Sequence, residues 1–142
     1  MTDLTTRISM SLSHGLLEAF DRVSHQSGYS DRSKALQAAM RAFISDFEAG
    51  VKKGNVVGSI VMVYDHETKG TDEAITETSH HHRQSILSSL HAHIDEAHCL
   101  CALLVRGKVP DIASLEGELK REKGIIQVKS SYLETESIKT VV

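Results

Sequence analysis

Four side chains carry the chemistry this sequence offers: His80, His91, His93 and Cys99, in a chain of 142 residues with nine His and two Cys. His91-Ala92-His93 is an i, i+2 pair between apolar neighbours, Leu90 and Ile94. On a strand, alternation puts both imidazoles on one face. Cys99 follows after a spacing that suits a tight turn and a returning strand. His80 opens the run His80-His81-His82 and offers a further donor. Three imidazoles and a thiolate are a transition-metal set, unlike the all-oxygen sets of Mg²⁺ and Ca²⁺. Coordination requires a thiolate and neutral imidazoles, so affinity is expected to rise with pH. His98 is expected to be a turn residue. Cys101 packs in the core or adds a soft donor. His14, His25 and His66 read as surface residues without partners.

Composition bounds the rest. Apolar residues make up 40% and charged ones 25%, which is ordinary for a globular protein. The net charge of −3 gives no global sign of nucleic-acid binding. The first fifty residues hold five basic side chains against six acidic ones, so any DNA contact there rests on placement. No secretory leader and no membrane-length apolar run is read, which points to a cytoplasmic protein. Two Cys one residue apart make no disulfide framework.

The segment 5–12 alternates, with Ile8, Met10 and Leu12 on one face and Arg7, Ser9 and Ser11 on the other. That pattern predicts a half-buried strand. Ser13 can cap a helix whose apolar stripe is Leu16, Phe20 and Val23, and Gly28 ends it. Ser30-Asp31 can cap a second helix bearing Leu36, Met40, Phe43 and Ile44. A lone strand with two helices is incomplete. A second copy completes it as an antiparallel ribbon over four helices, with Arg7, Ser9 and Ser11 turned outward. Such a ribbon fits the major groove of double-stranded DNA, where Arg pairs with guanine and Ser with base edges. Arg32 and Ser33, at the start of the second helix, suit a phosphate. The plain alternatives are a solvated strand face and an ordinary helix start.

Residues 49–55 read as a linker between a domain at 1–48 and another at 56–142. The β-branched run 56–64 predicts a buried strand. A helix is expected over 72–87, strands over 88–94 and 98–106, a helix over 112–123 and a last strand over 125–132. The order βαββαβ is that of a ferredoxin-like fold, so the chain is α+β. The tail 134–142 has no assignment.

The segment 5–45 resembles a ribbon-helix-helix DNA-binding domain. The full pattern, from His80 through Leu90-His91-Ala92-His93-Ile94 to Cys99-Leu100, resembles the nickel-responsive transcriptional regulators, the NikR family. The resemblance implies an intertwined ribbon-helix-helix dimer joined to an ACT-like ferredoxin domain that forms a homotetramer, a dimer of dimers. It implies one Ni²⁺ per subunit in a square plane, with His91, His93 and Cys99 from one subunit and the partner subunit's His80. It implies operator DNA with palindromic half-sites, contacted by Arg7, Ser9 and Ser11, and nickel as a corepressor of nickel uptake. Two positions depart from the family. Cys101 stands where an acid commonly supports a site histidine. The stretch 34–38 lacks the carboxylates of a second cation site at the domain junction. Ligand chemistry alone leaves copper or zinc open as the sensed metal. An enzyme is not expected, because Asp95 and Glu96, the nearby acids, fit a turn.

Overall fold

The computed structural model describes residues 5–50 and 52–135. The chain divides into two compact units between Ala49 and Gly50.

The first unit holds helix α1 (His14–Gln26) and helix α2 (Arg32–Ala49). Ser13 caps α1, its side chain accepting a hydrogen bond from the Leu16 amide at 3.3 Å. Gly28 follows with φ 88°, a left-handed backbone that favours glycine. The Ser33 amide donates to the Asp31 carboxylate at 2.8 Å, which fixes the start of α2. Arg32 braces the two helices: Nε and Nη2 donate to the two oxygens of Asp21 at 2.9 and 2.7 Å. The predicted strand at 5–12 is not formed in this single chain, where the segment carries no regular secondary structure. Strand hydrogen bonds need a neighbour, and the described part of this unit supplies none. Ile8, Met10, Leu12, Phe43 and Phe47 are consequently exposed, Phe43 at 75% and Phe47 at 77%. Only Ser24 and Ala35 are buried among the unit's described residues.

The second unit holds β1 (Asn55–Asp65), α3 (Thr71–His81), β2 (Ile86–His93), β3 (His98–Lys108), α4 (Val109–Arg121) and β4 (Ile125–Glu134). The sheet order is β2-β3-β1-β4, and the registered pairs are antiparallel throughout. This is the order expected of a split βαβ fold. Burial alternates along β1 and β3, so one sheet face is covered. Ile75 of α3 and Ile112, Leu115 and Leu119 of α4 close over Ile60, Met62, Leu103 and Val105. Cys99 and Cys101 belong to the same core.

Several element ends differ from expectation. Helix α3 stops at His81, and a turn over 82–85 leads into β2 at Ile86. Ile86 pairs with Val105, so the apolar residues expected to extend the helix start the strand. The last strand runs on to Glu134 because its end pairs with Val56 and Val57. Residues 136–142 of the unassigned tail lie outside the described residues.

Glu116 of α4 ties the helix to β4. It accepts from the Ser130 hydroxyl at 2.9 Å, the Tyr132 hydroxyl at 2.6 Å and the Lys120 ammonium at 2.8 Å. Burial raises its pKa, but the bonds from Lys120, Tyr132 and Ser130 outweigh that and hold the carboxyl below its usual range. Its contribution to stability is therefore full above the ordinary carboxylate pKa and is lost as pH falls through the depressed value. Urea unfolding of the metal-free chain from about pH 6 to about pH 3 is expected to show this loss, and Glu116→Gln to flatten it. An identical acid slope in wild type and variant contradicts the assignment.

Candidate metal centre

Three strand ends meet at one end of the sheet. Cys99 is the second residue of β3 and is fully buried. It pairs with His93 at the end of β2 on one side and with Tyr64 near the end of β1 on the other. His93 Nδ1 stands 3.3 Å from Cys99 Sγ, so the two donor atoms already face each other. His91 lies two residues back on the same strand face, with its ring centroid 5.3 Å from that of His93. Both histidines are exposed, so the thiol forms the floor and the imidazoles the rim.

His91 has a support that the sequence did not announce. The Tyr64 hydroxyl donates to Asp72 Oδ1 at 2.6 Å and lies 3.2 Å from His91 Nε2. Burial, and then the bond to Asp72, push the Tyr64 pKa up, so the hydroxyl stays protonated. With its proton committed to Asp72, the oxygen accepts from Nε2–H of His91. That tautomer, assigned from the network, leaves Nδ1 with a free lone pair for a metal. Tyr64 and Asp72 thus hold His91 although no acid stands at position 101. Tyr64→Phe is expected to weaken metal binding about 10-fold or more while leaving the metal-free fold in place. Competition titrations against a metal chelator read this directly, and unchanged affinity rules out the support.

Cys101 sits opposite His91 in the ladder and is buried in the core. Burial pushes its thiol pKa up, which keeps it protonated and a poor ligand. Packing is therefore the role the structure gives it. His98 lies at the turn, where Nδ1 meets both oxygens of Asp95 at 2.9 Å. The Asp95 side chain also accepts from the Ala97 and His98 amides. These bonds lower the Asp95 pKa, the contact to His98 first, and raise that of His98.

His80 occupies the last turn of α3. It lines a hollow of about 410 Å³ together with Tyr64, Asp72, His91 and Cys101. Among the described residues, the donor atoms that lie within 4.8 Å of one another belong instead to His66, His93 and Cys99. His66 was expected to be a lone surface residue, and this corrects that reading. Its amide donates to the Ala97 carbonyl at 2.9 Å, one step beyond the last β1–β3 pair. The ring meets that of His93 edge-on at 5.8 Å. The i, i+2 run Ile60, Met62, Tyr64 could have pointed to it, because His66 is the next residue of that face.

The second unit matches the family model described as the NikR C-terminal nickel binding domain over residues 57–133. The chain belongs to the NikR family of nickel-responsive regulators. Relatives named "Putative nickel-responsive regulator" agree. That of Geobacter sp. strain M21 is 40% identical over 85% of this chain and 87% of its own length. That of Dictyoglomus thermophilum is 38% identical over 84% and 88%. That of Methanocaldococcus jannaschii is 38% identical over 94% of both chains. NikR proteins are regulators and not enzymes, as expected for this chain. Arg7, Ser9 and Ser11, the DNA-facing candidates of this NikR chain, are exposed on the irregular segment before α1. Arg32 and Ser33 are exposed at the start of α2, with Arg32 held by Asp21. Among the described residues, no helix is long and apolar enough to cross a membrane.

Proposed function

We propose that this NikR chain is a nickel-dependent transcriptional repressor acting in the cytoplasm. The observation that carries the proposal is the convergence of His91, His93 and Cys99 at one sheet end, with Cys99 Sγ 3.3 Å from His93 Nδ1. Their soft and borderline donors fit a divalent ion late in the first transition row. His91, His93 and Cys99 supply three corners of a square plane, and the partner subunit's His80 supplies the fourth. Its exposure at a helix end and its place outside its own chain's close donor group support an intersubunit role for His80. Bound nickel, one per subunit, supplies a link between donors of two chains within a homotetramer.

The first unit supports an intertwined dimer. Its apolar residues Ile8, Met10, Leu12, Phe43 and Phe47 lie exposed in one chain, and a small unit of this kind needs a second copy to close a core. Pairing of two 5–12 segments makes the ribbon, with Arg7, Ser9 and Ser11 outward for operator base edges. Arg32 and Ser33 then approach phosphates, and the surface pair between Arg32 and Asp21 opens to allow it. Metal-dependent ordering favours domain spacings that fit two half-sites, which represses nickel uptake genes.

Operator binding tests the proposal. The probe is DNA from the promoter of the organism's own nickel transporter, with metal-free, Ni²⁺-, Cu²⁺- and Zn²⁺-loaded protein. Tight binding with Ni²⁺, lost in Arg7→Ala, supports it. Nickel binding without any change in DNA affinity sinks it.

A further inference from the structure

The three histidines at the end of α3 stand in different surroundings. His80 and His81 are exposed. His82, the residue that closes the helix, keeps only 15% of its side chain exposed, and its Nε2 lies 3.0 Å from Glu118 Oε1 of α4. We infer that His82, held by Glu118, is the positioning residue for His80: it fixes the last turn of α3 so that His80 is presented to a neighbouring subunit. The inference rests on the nickel plane proposed above, in which the partner subunit's His80 is the fourth donor.

The helix geometry supports it. An α-helix turns about 100° per residue, so side chains two apart leave it in nearly opposite directions. With His82 drawn onto α4, His80 is turned away from α4 and lines the hollow that also holds Tyr64 and His91. Helix ends fray, and this one is tied twice. One turn before His82, the Thr78 hydroxyl donates to Glu122 Oε1 at 3.4 Å, and the His82 amide donates to the Thr78 carbonyl at 3.1 Å. Glu118 is a firm post, because Leu115 and Leu119 of the same helix are buried in the core. It also accepts from the Ser114 hydroxyl at 3.5 Å. The bond from His82, more than any other cause, holds the Glu118 carboxyl below its usual range, so the acid is ionised and accepts. Nε2 of His82 is then the donor, a tautomer assigned from the network, and is engaged by Glu118.

The consequence is a donor ordered in advance. His80 meets its nickel on another chain, so its own chain must hold it before the ion arrives. A side chain already in place is spared the loss of conformational freedom at the moment of binding. His82 does not touch the ion and acts through His80.

The test is the Ni²⁺ affinity of full-length protein in competition with a chelator, with a metal-free urea midpoint measured beside each variant. Wild type is compared with His82→Ala, His82→Asn, His82→Gln, Glu118→Ala, His80→Ala and the double variant His80→Ala/His82→Ala. His82→Ala and Glu118→Ala are each expected to lose about 10-fold in Ni²⁺ affinity. His82→Gln keeps an N–H near the place of Nε2 and is expected to stay within about 3-fold of wild type, whereas the shorter amide of His82→Asn is expected to fail like alanine. In the His80→Ala background, His82→Ala is expected to change nothing further, since no His80 is left to place. A merely structural role would move the urea midpoint and weaken both backgrounds alike. The inference is overturned if His82→Ala or Glu118→Ala keeps wild-type Ni²⁺ affinity, if His82→Gln loses as much as His82→Ala, or if His82→Ala weakens His80→Ala further. The nickel plane has its own readout. Unchanged affinity in His80→Ala defeats the fourth corner and the inference with it, whereas a loss in His80→Ala beside wild-type affinity in His82→Ala defeats the inference alone.

Discussion

Cys99→Ala is expected to abolish tight nickel binding, with a loss well beyond the roughly 10–100-fold typical of an outer-shell partner. The thiolate is the only anionic donor in the proposed plane, and it cancels part of the metal charge at a buried floor. Its removal leaves imidazoles that are exposed and separately tethered, His91 by Tyr64 and His93 at the strand end. The operator response is expected to vanish with the metal. Loss of one sulfur atom from the core costs about 1 kcal/mol, so the metal-free chain stays folded. Cys99→Ser keeps the volume and replaces the soft donor by a hard one, and it is expected to bind nickel almost as poorly. Calorimetric titration with Ni²⁺, beside a urea melt of each variant, separates the two effects. Near-wild-type nickel affinity in either variant removes Cys99 from the site.

Gly58→Ala is expected to be the most damaging single methyl group in the second unit, at about 3 kcal/mol. Gly58 is in the middle of β1 and pairs with Tyr132 of β4. A Cβ there would overlap the Ser131 carbonyl oxygen and come within 2.9 Å of Tyr132 Cα. Both obstacles are backbone, so no side chain can move aside. The same methyl group would meet the Tyr132 ring at 2.8 Å, and that ring carries the hydroxyl bonded to Glu116. One substitution thus disturbs the β1–β4 ladder and the tie from β4 to α4. Gly58→Ala is expected to shift the urea midpoint sharply, whereas Gly15→Ala, with open space around it, is expected to leave it near wild type. Similar midpoints for both variants would show that β4 moves away without cost.

The order of elements in the second unit was legible because each has a strong local pattern. The β-branched run of β1 and the apolar spacing of Ile112, Leu115 and Leu119 admit one reading each. The boundary between α3 and β2 was not legible, since Ile86 and Leu87 fit either period and only pairing with Val105 decides. The strand at 5–12 has a clear alternation, but a ladder needs a second strand, and one chain leaves it unpaired. His93 and Cys99 were legible from spacing, and the structure places their donor atoms together. His66 was missed because it lies just past the strand end and was read as a surface residue without partners. The Asp72–Tyr64–His91 chain was beyond sequence reasoning, because it joins residues of three elements through side-chain contacts.

The strand that carries His91 and His93 is one of the two edges of the sheet, paired with β3 alone among the described residues, and it is exposed along nearly its whole length. A border strand peels away at a small fraction of the cost of unfolding the unit, since the core residues under α4 need not move. Ion entry and release can then follow the local breathing of this border. Response time is thereby separated from thermal robustness: a chain that is slow to unfold can still be quick to load and to clear its metal.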